Sequence, residues 1–342
     1  MFYNLFFALK GVFLHNVLNF IFMKRIVFAF VALFCVAAFV SCNKSGIYTP
    51  KDKLSKVWME RESSVIIDSV EQKNPPVEKF LYEGWEWDGK YLKSRTVYRA
   101  NGDVRFSYNY EYNDKMKNRV VGITSSIPAE RKNRIRFLYD DDSKLLKEIK
   151  YFTEYFPDSD LPYRWIEVGY DGNKVVSLKE TINTQRAPHK SDMETSLLPY
   201  FVSEGMAESI AENEITSKIE YDSRINEYAI EWEKKNISHV KITTTVGGKT
   251  SEVNISYTYD KNKNPQYARV MGLIEDGDVN SLIFSHNNVA SCTYESENMT
   301  YTEQCEYTYD KKVPVEKIIY RDQKTGMITS KITEKWTYEY AE

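Results

Sequence analysis

The chain has 342 residues, 49 acidic against 46 basic, and 42% hydrophobic content, which is enough apolar material for a substantial core and excludes a compositionally disordered protein. The acidic balance opposes binding to a polyanion through counterion release, so nucleic acid is excluded as a partner. Tyr dominates the aromatics, with 26 residues against 17 Phe and 6 Trp, and this suits a pleated surface that is wet on one side.

In chain order, the first signal is at the amino terminus. Met23-Lys24-Arg25 is a basic n-region, Ile26 to Val40 is an apolar run, and Phe39-Val40-Ser41-Cys42 ends it with a small residue before cysteine. The pattern resembles the lipobox of bacterial lipoproteins, which implies cleavage before Cys42 and acylation of Cys42. Phe39 and Ser41 stand where that pattern prefers Leu and Gly or Ala. An uncleaved anchor would need ~20 apolar residues, and Ser41-Cys42-Asn43-Lys44 closes this run early. Met23 is read as the start of the leader. Residues 1–42 are then a signal peptide, 43–62 a tether and 63–342 a repeat-built β domain. Removal of 1–42 takes away three basic and no acidic residues, leaving a net charge of about −6. The expected partner is a membrane, reached through the lipid. The expected location is the outer membrane, and because Asn43-Lys44-Ser45-Gly46 lacks the acidic run that resembles a surface-export signal, the periplasmic face is favoured over the cell surface.

The domain alternates with a period of two. Val104, Phe106, Tyr108, Tyr110 and Tyr112 are set against Arg105, Ser107, Asn109 and Glu111; Val253, Ile255, Tyr257 and Tyr259 against Glu252, Asn254, Ser256 and Thr258. Tyr301, Glu303, Cys305, Tyr307 and Tyr309 alternate with Thr302, Gln304, Glu306 and Thr308. Such segments are half-buried antiparallel strands. Tyr-Thr-Tyr-Asp occurs at 257–260 and again at 307–310, and an acid or amide follows the aromatics at Asp88, Asn113, Asp140, Asp171, Asp222, Asp260 and Asp310. Asp and Asn in that place start turns by bonding a backbone N–H two residues on. The spacing of Trp87, Tyr112, Tyr139, Trp232, Tyr259 and His286 marks an internal repeat, with His286 in the place of the aromatic. Asp88-Gly89, Asn101-Gly102, Asp171-Gly172, Gly247-Gly248 and Asp276-Gly277 mark hairpins. The expectation is an all-β, antiparallel up-and-down meander of about sixteen or more strands, curved into a barrel or half-barrel. A closed sheet of that size is too wide for its own side chains to fill.

One segment breaks the pattern. Over about 183–215, Leu198, Val202, Met206 and Ile210 fall at helical spacing with Phe201 beside them, and Pro199 suits a first helical turn. This predicts a short helical insertion that packs on the sheet, caps it, or plugs it.

The aromatic-x-Tyr-Asp units, the Asn-Asn-Val and Lys-Asn-Ile turns and the lipobox together resemble the DUF4595-like uncharacterised lipoproteins of gut Bacteroidetes, whose units are similar to YD repeats. The likeness covers about 219–340 best and 85–170 more loosely. It implies an antiparallel, porin-like or barrel-like sheet in the cell envelope, with no established activity and no catalytic residues to carry over. Asp68-Ser69-Val70 also resembles the O-glycosylation acceptor of the same bacteria, which makes Ser69 a candidate.

No catalytic motif is present. His189, His239 and His286 form no zinc pattern, and there is no nucleophile elbow or phosphate loop. Asp140-Asp141-Asp142 and Glu275-Asp276-Gly277-Asp278 lie at predicted turns and match no calcium loop, so no metal and no cofactor is expected. Trp85, Trp87, Trp165, Trp232 and Trp336 are the candidate ligand platforms, since an aromatic row serves a sugar as readily as a core. Cys292 and Cys305 remain after Cys35 is cleaved and Cys42 acylated. If Asn298-Met299 is a two-residue hairpin loop, they face each other, and a disulfide between them is expected. The functional expectation is a lipid-anchored, non-enzymatic envelope protein that binds a glycan, a lipid or an envelope protein. The alternatives are a glycan hydrolase with carboxylates assembled in the fold and a purely structural component.

Overall fold

The computed structural model describes residues 48–116, 119–127, 131–153, 161–183, 201, 223–264, 285–297, 299–325 and 328–341. They belong to one compact unit, 44–342, built of antiparallel strands. The chain begins with β1 (Leu54–Ile67), β2 (Val70–Lys73) and β3 (Val77–Asp88). Both β2 and β3 pair with the same edge of β1, β2 against Ser64 to Ile67 and β3 against Lys56 to Arg61. They are one returning strand interrupted at Asn74-Pro75-Pro76, because proline offers no N–H to a ladder.

The meander continues through β4 (Tyr91–Tyr98), β5 (Val104–Asn113), β6 (Arg119–Ile127), β7 (Arg131–Tyr139), β8 (Leu146–Thr153) and β9 (Arg164–Asp171). It goes on through β10 (Lys174–Asn183), β11 (Ser223–Glu233), β12 (Asn236–Val246) and β13 (Lys249–Lys263). It ends with β14 (Asn287–Glu295), β15 (Thr300–Asp310), β16 (Val313–Thr325) and β17 (Ile328–Tyr340). Each pairs with the next, and β17 pairs with β1 from Leu54↔Tyr340 to Ile66↔Thr329. With β2 and β3 as one stave, sixteen staves close a barrel, and the expected choice between barrel and half-barrel is resolved in favour of closure. Closure gives partners to the backbone groups that β1 and β17 would otherwise expose as edges.

Burial follows the period of two. On β13 Ile255 and Tyr257 are buried while Glu252, Asn254, Ser256 and Thr258 are exposed. The turn residues act as their chemistry requires. Asp140 accepts from the amides of Asp142 and Ser143, Asp260 from that of Asn262, and Asn113 from that of Lys115. Gly247 and Gly248 both have positive φ, which a two-residue turn with the strand's twist needs. Asp222 and Asp276-Gly277 lie outside the described residues.

One boundary needs correction. The tether expected over 43–62 is already strand from Leu54, where a bulge at Ser55, an outward Trp58 and an inward Arg61 disguise the alternation. Asp68 and Ser69, both at positive φ, form the two-residue turn of the β1–β2 hairpin.

The repeat has a structural cause at the rim where β1 begins, here the lower rim. There each descending strand ends in an aromatic opposite an apolar residue near the start of an ascending strand: Trp87 and Leu92, Tyr112 and Val120, Tyr139 and Leu146, Tyr170 and Val175, Trp232 and Ile237, Tyr259 and Val289, Tyr309 and Pro314, Tyr340 and Leu54. Every one of these eight rungs has a register shift beside it, a bulge that re-aims the ascending strand's backbone. The carbonyl of each apolar residue accepts a hydrogen bond from the aromatic of the next descending strand. Trp87 donates to Leu54, Tyr112 to Leu92, Tyr139 to Val120, Tyr170 to Leu146, Trp232 to Val175, Tyr259 to Ile237 and Tyr340 to Pro314, at 2.6 to 2.8 Å. Tyr307 donates to Val289 at 3.0 Å and completes the belt. His286 is not a member, contrary to the sequence spacing. It precedes β14, and its amide donates to the Lys235 carbonyl.

The insertion expected over about 183–215 lies outside the described residues except for Asn183, at the end of β10, and Phe201. Phe201 is buried inside the wall: its ring stacks on Tyr228 at 5.3 Å between centroids, and its carbonyl accepts from the Tyr257 hydroxyl at 2.7 Å. A side chain from outside the sheet thus fills part of the volume that sixteen staves enclose.

Candidate functional site

Above the belt the inward face is not simply apolar. Four adjacent strands, β15, β16, β17 and β1, carry Glu303, Arg321, Glu334 and Arg61 on their inner faces, alternating in charge. Arg321 donates through Nε to Glu303 at 3.2 Å and through Nη2 to Glu334 at 2.8 Å; Arg61 donates through Nε to Glu334 at 2.7 Å. Glu334 also accepts from Trp336 Nε1 at 3.1 Å. Glu303, Arg321 and Glu334 are buried, with Arg61 at the more open end. Burial acts to raise the Glu334 carboxyl, but the Arg321 and Arg61 guanidiniums outweigh it and hold the group down to about 2.

A second pair lies on β3 and β4, where Glu83 accepts from Arg95 and from Trp85 Nε1 at 2.7 Å. A third joins Arg164 on β9 to Glu180 on β10, which also accepts from Asn226 Nδ2 at 2.7 Å and the Tyr228 hydroxyl at 3.1 Å. Lys317, on the inner face of β16 near the first group, is fully buried; its Nζ has no hydrogen-bond partner, and Arg321 Nη1 has none either. These charged residues escape a reading by hydropathy because each sits at an inward position that the pattern assigns to the core. Glu303 carried the available signal, since it stands on the aromatic face of its own strand.

The candidate tryptophans divide. Trp85 and Trp336 are buried beside their glutamates, and Trp87 and Trp232 belong to the belt, so four of the five are core and rim packing. Trp165 lies on the outer face of β9, opposite Thr181 and Lys150. Ser69 is exposed at its hairpin tip.

The expected disulfide is corrected. Cys292 faces Glu303 rather than Cys305, because β14 and β15 pair Glu295 with Thr300 and leave a four-residue connection where two were expected. The Ser296 amide donates to the Met299 carbonyl across it, which spares Met299 the positive φ of a two-residue turn. Both thiols are free and buried. Burial pushes both up, Cys305 to about 12, so neither is ionised near neutrality.

The belt has one irregular step, next to the connection between β13 and β14. Tyr309, opposite Pro314, donates to Asp260 instead of a backbone carbonyl and accepts from Asn288 Nδ2 at 3.0 Å, while Tyr307 serves Val289. Buried Asn264, Ser285 and Asn288 complete a polar patch there. Among the described residues no group of three or more His, Cys, Asp or Glu could hold a metal ion. Asp140 Oδ1 is occupied by its own turn, and Glu275 to Asp278 lie outside the described residues.

The outer wall is charged along its length. Glu316 pairs with Lys335 at 2.7 Å, Glu252 with Lys241 at 2.8 Å, Glu111 with Arg136 at 2.8 Å and Glu339 with Lys56 at 3.4 Å. Exposed pairs of this kind contribute about 0 to 1 kcal/mol each, so their meaning is where they sit. A membrane-spanning barrel presents an apolar band ~25 Å tall, into which a Lys or Arg at the midplane costs about 2–4 kcal/mol. This wall has the reverse polarity, ionised outside and aromatic inside.

No family model matches the sequence, and neither does any curated protein. Among solved structures, the chain is similar to a porin-like protein from Bacteroides uniformis, with 10% identity and a TM-score of 0.35 over 86% of this chain and 99% of that one. It is also similar to a porin-like protein from Bacteroides vulgatus, with 10% identity and a TM-score of 0.29 over 85% and 99%. The barrel stands on its own strand register.

Proposed function

We propose that this chain is a lipid-anchored envelope protein whose barrel stands in water and binds a ligand or partner without catalysing a reaction. The observation that carries the reading is the polarity of the wall: charge faces outward, and a smaller set of buried charges faces the interior. A barrel of that polarity needs another attachment to reach a membrane, and the run from Met23 to Cys42 supplies a lipidation signal. The lipid attaches the barrel at the outer membrane, the periplasmic face is favoured over the cell surface by the lack of an acidic run in Asn43-Lys44-Ser45-Gly46, and exposed Ser69 suits a sugar acceptor. The interior favours binding over hydrolysis. Glu303 and Glu334 are held by guanidiniums, and a carboxyl kept near 2 is a poor general acid.

The test is partition in a phase-separating detergent, with wild type and a variant in which an ordinary cleavable secretory leader replaces residues 1–42, both expressed in a Gram-negative host. Wild type is expected in the detergent phase, labelled by palmitate, and the variant in the aqueous phase, folded and unlabelled. Retention of the processed variant in the membrane would show that the wall itself inserts and would end this reading. A glycan and lipid binding screen of the aqueous variant then addresses the ligand, and a screen with no binder would remove the binding half of the proposal.

A further inference from the structure

Lys317 has an internal counterpart. On β3 and β4 three successive inward rungs are Trp87–Leu92, Trp85–Arg95 and Glu83–Val97. On β15 and β16 the same three rungs are Tyr309–Pro314, Tyr307–Lys317 and Cys305–Ile319. In the repeat, therefore, Lys317 stands where Arg95 stands and Cys305 stands where Glu83 stands.

The two places differ in one respect. Arg95 is fully buried and its charge is met by Glu83. Lys317 is as deeply buried, at 0% exposure, and its Nζ has no hydrogen-bond partner; the Tyr307 ring, 5.7 Å away, gives it a cation–π contact. The two carboxylates of the neighbouring group are engaged by Arg321 and Arg61. The position that holds a carboxylate in the counterpart holds a neutral thiol here. A cation is not a requirement of the repeat either, since the other six equivalent positions are Val57, Ile123, Ile149, Leu178, Val240 and Cys292. A buried ammonium without an acceptor is among the most unfavourable groups a core can hold, so its retention calls for an anion.

We propose that this rung binds a small organic monocarboxylate, with Lys317 Nζ as counter-ion and the bound carboxylate in the place that the Glu83 side chain takes beside Arg95. The surroundings define the ligand's class. One uncompensated cation calls for a monoanion, and the neighbouring Tyr307, Trp336 and Ile319 suit an apolar or aromatic body rather than a sugar or a polyphosphate. Arg321 Nη1, two inward positions along the same strand and also unpartnered, is a second donor on that face. The proposal rests on the ligand-binding reading above and names its chemistry.

The experiment is thermal unfolding of the full mature chain in sodium acetate, sodium benzoate and sodium chloride at equal ionic strength, for wild type, Lys317→Met and Cys305→Asp. Lys317→Met removes the cation, and Cys305→Asp supplies the missing carboxylate from the chain. Wild type is expected to melt about 5 °C higher at a hundredfold excess of carboxylate over its Kd, with benzoate acting at lower concentration than acetate. Both variants are expected to melt in chloride at or above wild type and to show no carboxylate-dependent rise. A wild type that melts alike in all three salts overturns the site, as does a rise that survives in Lys317→Met. Should Lys317→Met fail to fold, Cys305→Asp decides on the same criterion. A wild type unmoved by carboxylates but positive in the glycan and lipid screen would remove this site while leaving the binding reading in place.

Discussion

The lower-rim belt and the charged rows above it occupy neighbouring positions on the same strands, yet they are built on opposite principles. The belt is neutral and repeated: each phenol or indole donates to a carbonyl beside a bulge, and burial pushes the Tyr112, Tyr139 and Tyr259 hydroxyls up so that they stay protonated donors. The charged rows are irregular and, among the described residues, concentrated on β15 to β1, β3 to β4 and β9 to β10. A repeat maintains whatever every copy needs, and every hairpin needs its bulged carbonyl satisfied. An ion pair in one row meets no such shared need. The difference teaches that the belt is architecture and that the charges mark what is particular to this barrel.

The largest expected effect separates the two directly. Arg321→Met leaves Glu303 and Glu334 without their shared guanidinium, and breaking a buried pair in this way costs about 3–5 kcal/mol. Denaturant unfolding measures it, and a loss below 1 kcal/mol would mean that the group is far better solvated than its burial implies. Next in size is the response to acid. Glu334 falls from its ordinary 4.5 to about 2 in the fold, so its contribution is fully present above 4.5 and is lost as pH falls toward 2. That loss is about 3 kcal/mol, and Glu334→Gln, whatever its own stability, should lack that part of the acid dependence in a series of unfolding midpoints. The smallest effect belongs to the belt. Tyr139→Phe removes one hydroxyl from the Val120 carbonyl and should cost about 1 kcal/mol, with Tyr112→Phe similar at Leu92. If a single belt substitution proved as damaging as Arg321→Met, the belt would be a cooperative ring rather than eight separate bonds.

Much of the architecture was legible before any coordinates. Alternation at Tyr108, Tyr257 or Tyr307 is a local property of a pleated strand, and Asp140 or Asp260 starts its turn with its own side chain, so both leave a signature within a few residues. The repeat spacing was visible for the same reason, and it failed at His286, where the connection after β13 keeps the spacing while the aromatic role passes to Tyr307 and Tyr309. Register was less legible. One wrong loop length between β14 and β15 set Cys292 opposite Cys305 instead of Glu303, because alternation fixes a strand's face and leaves its offset to the turn.

The sequence by itself determined the strand class, the face each side chain takes and the Asx turns, because each depends on neighbours in the chain. Only the tertiary structure decided that the sheet closes through β1 and β17, that Phe201 enters the interior, that Trp85 and Trp336 are core, and that Lys317 is buried across from Tyr307 where its counterpart Arg95 has a carboxylate. Those facts depend on contacts between residues far apart in the chain, and the free energy of a buried charge is set by what surrounds it in space.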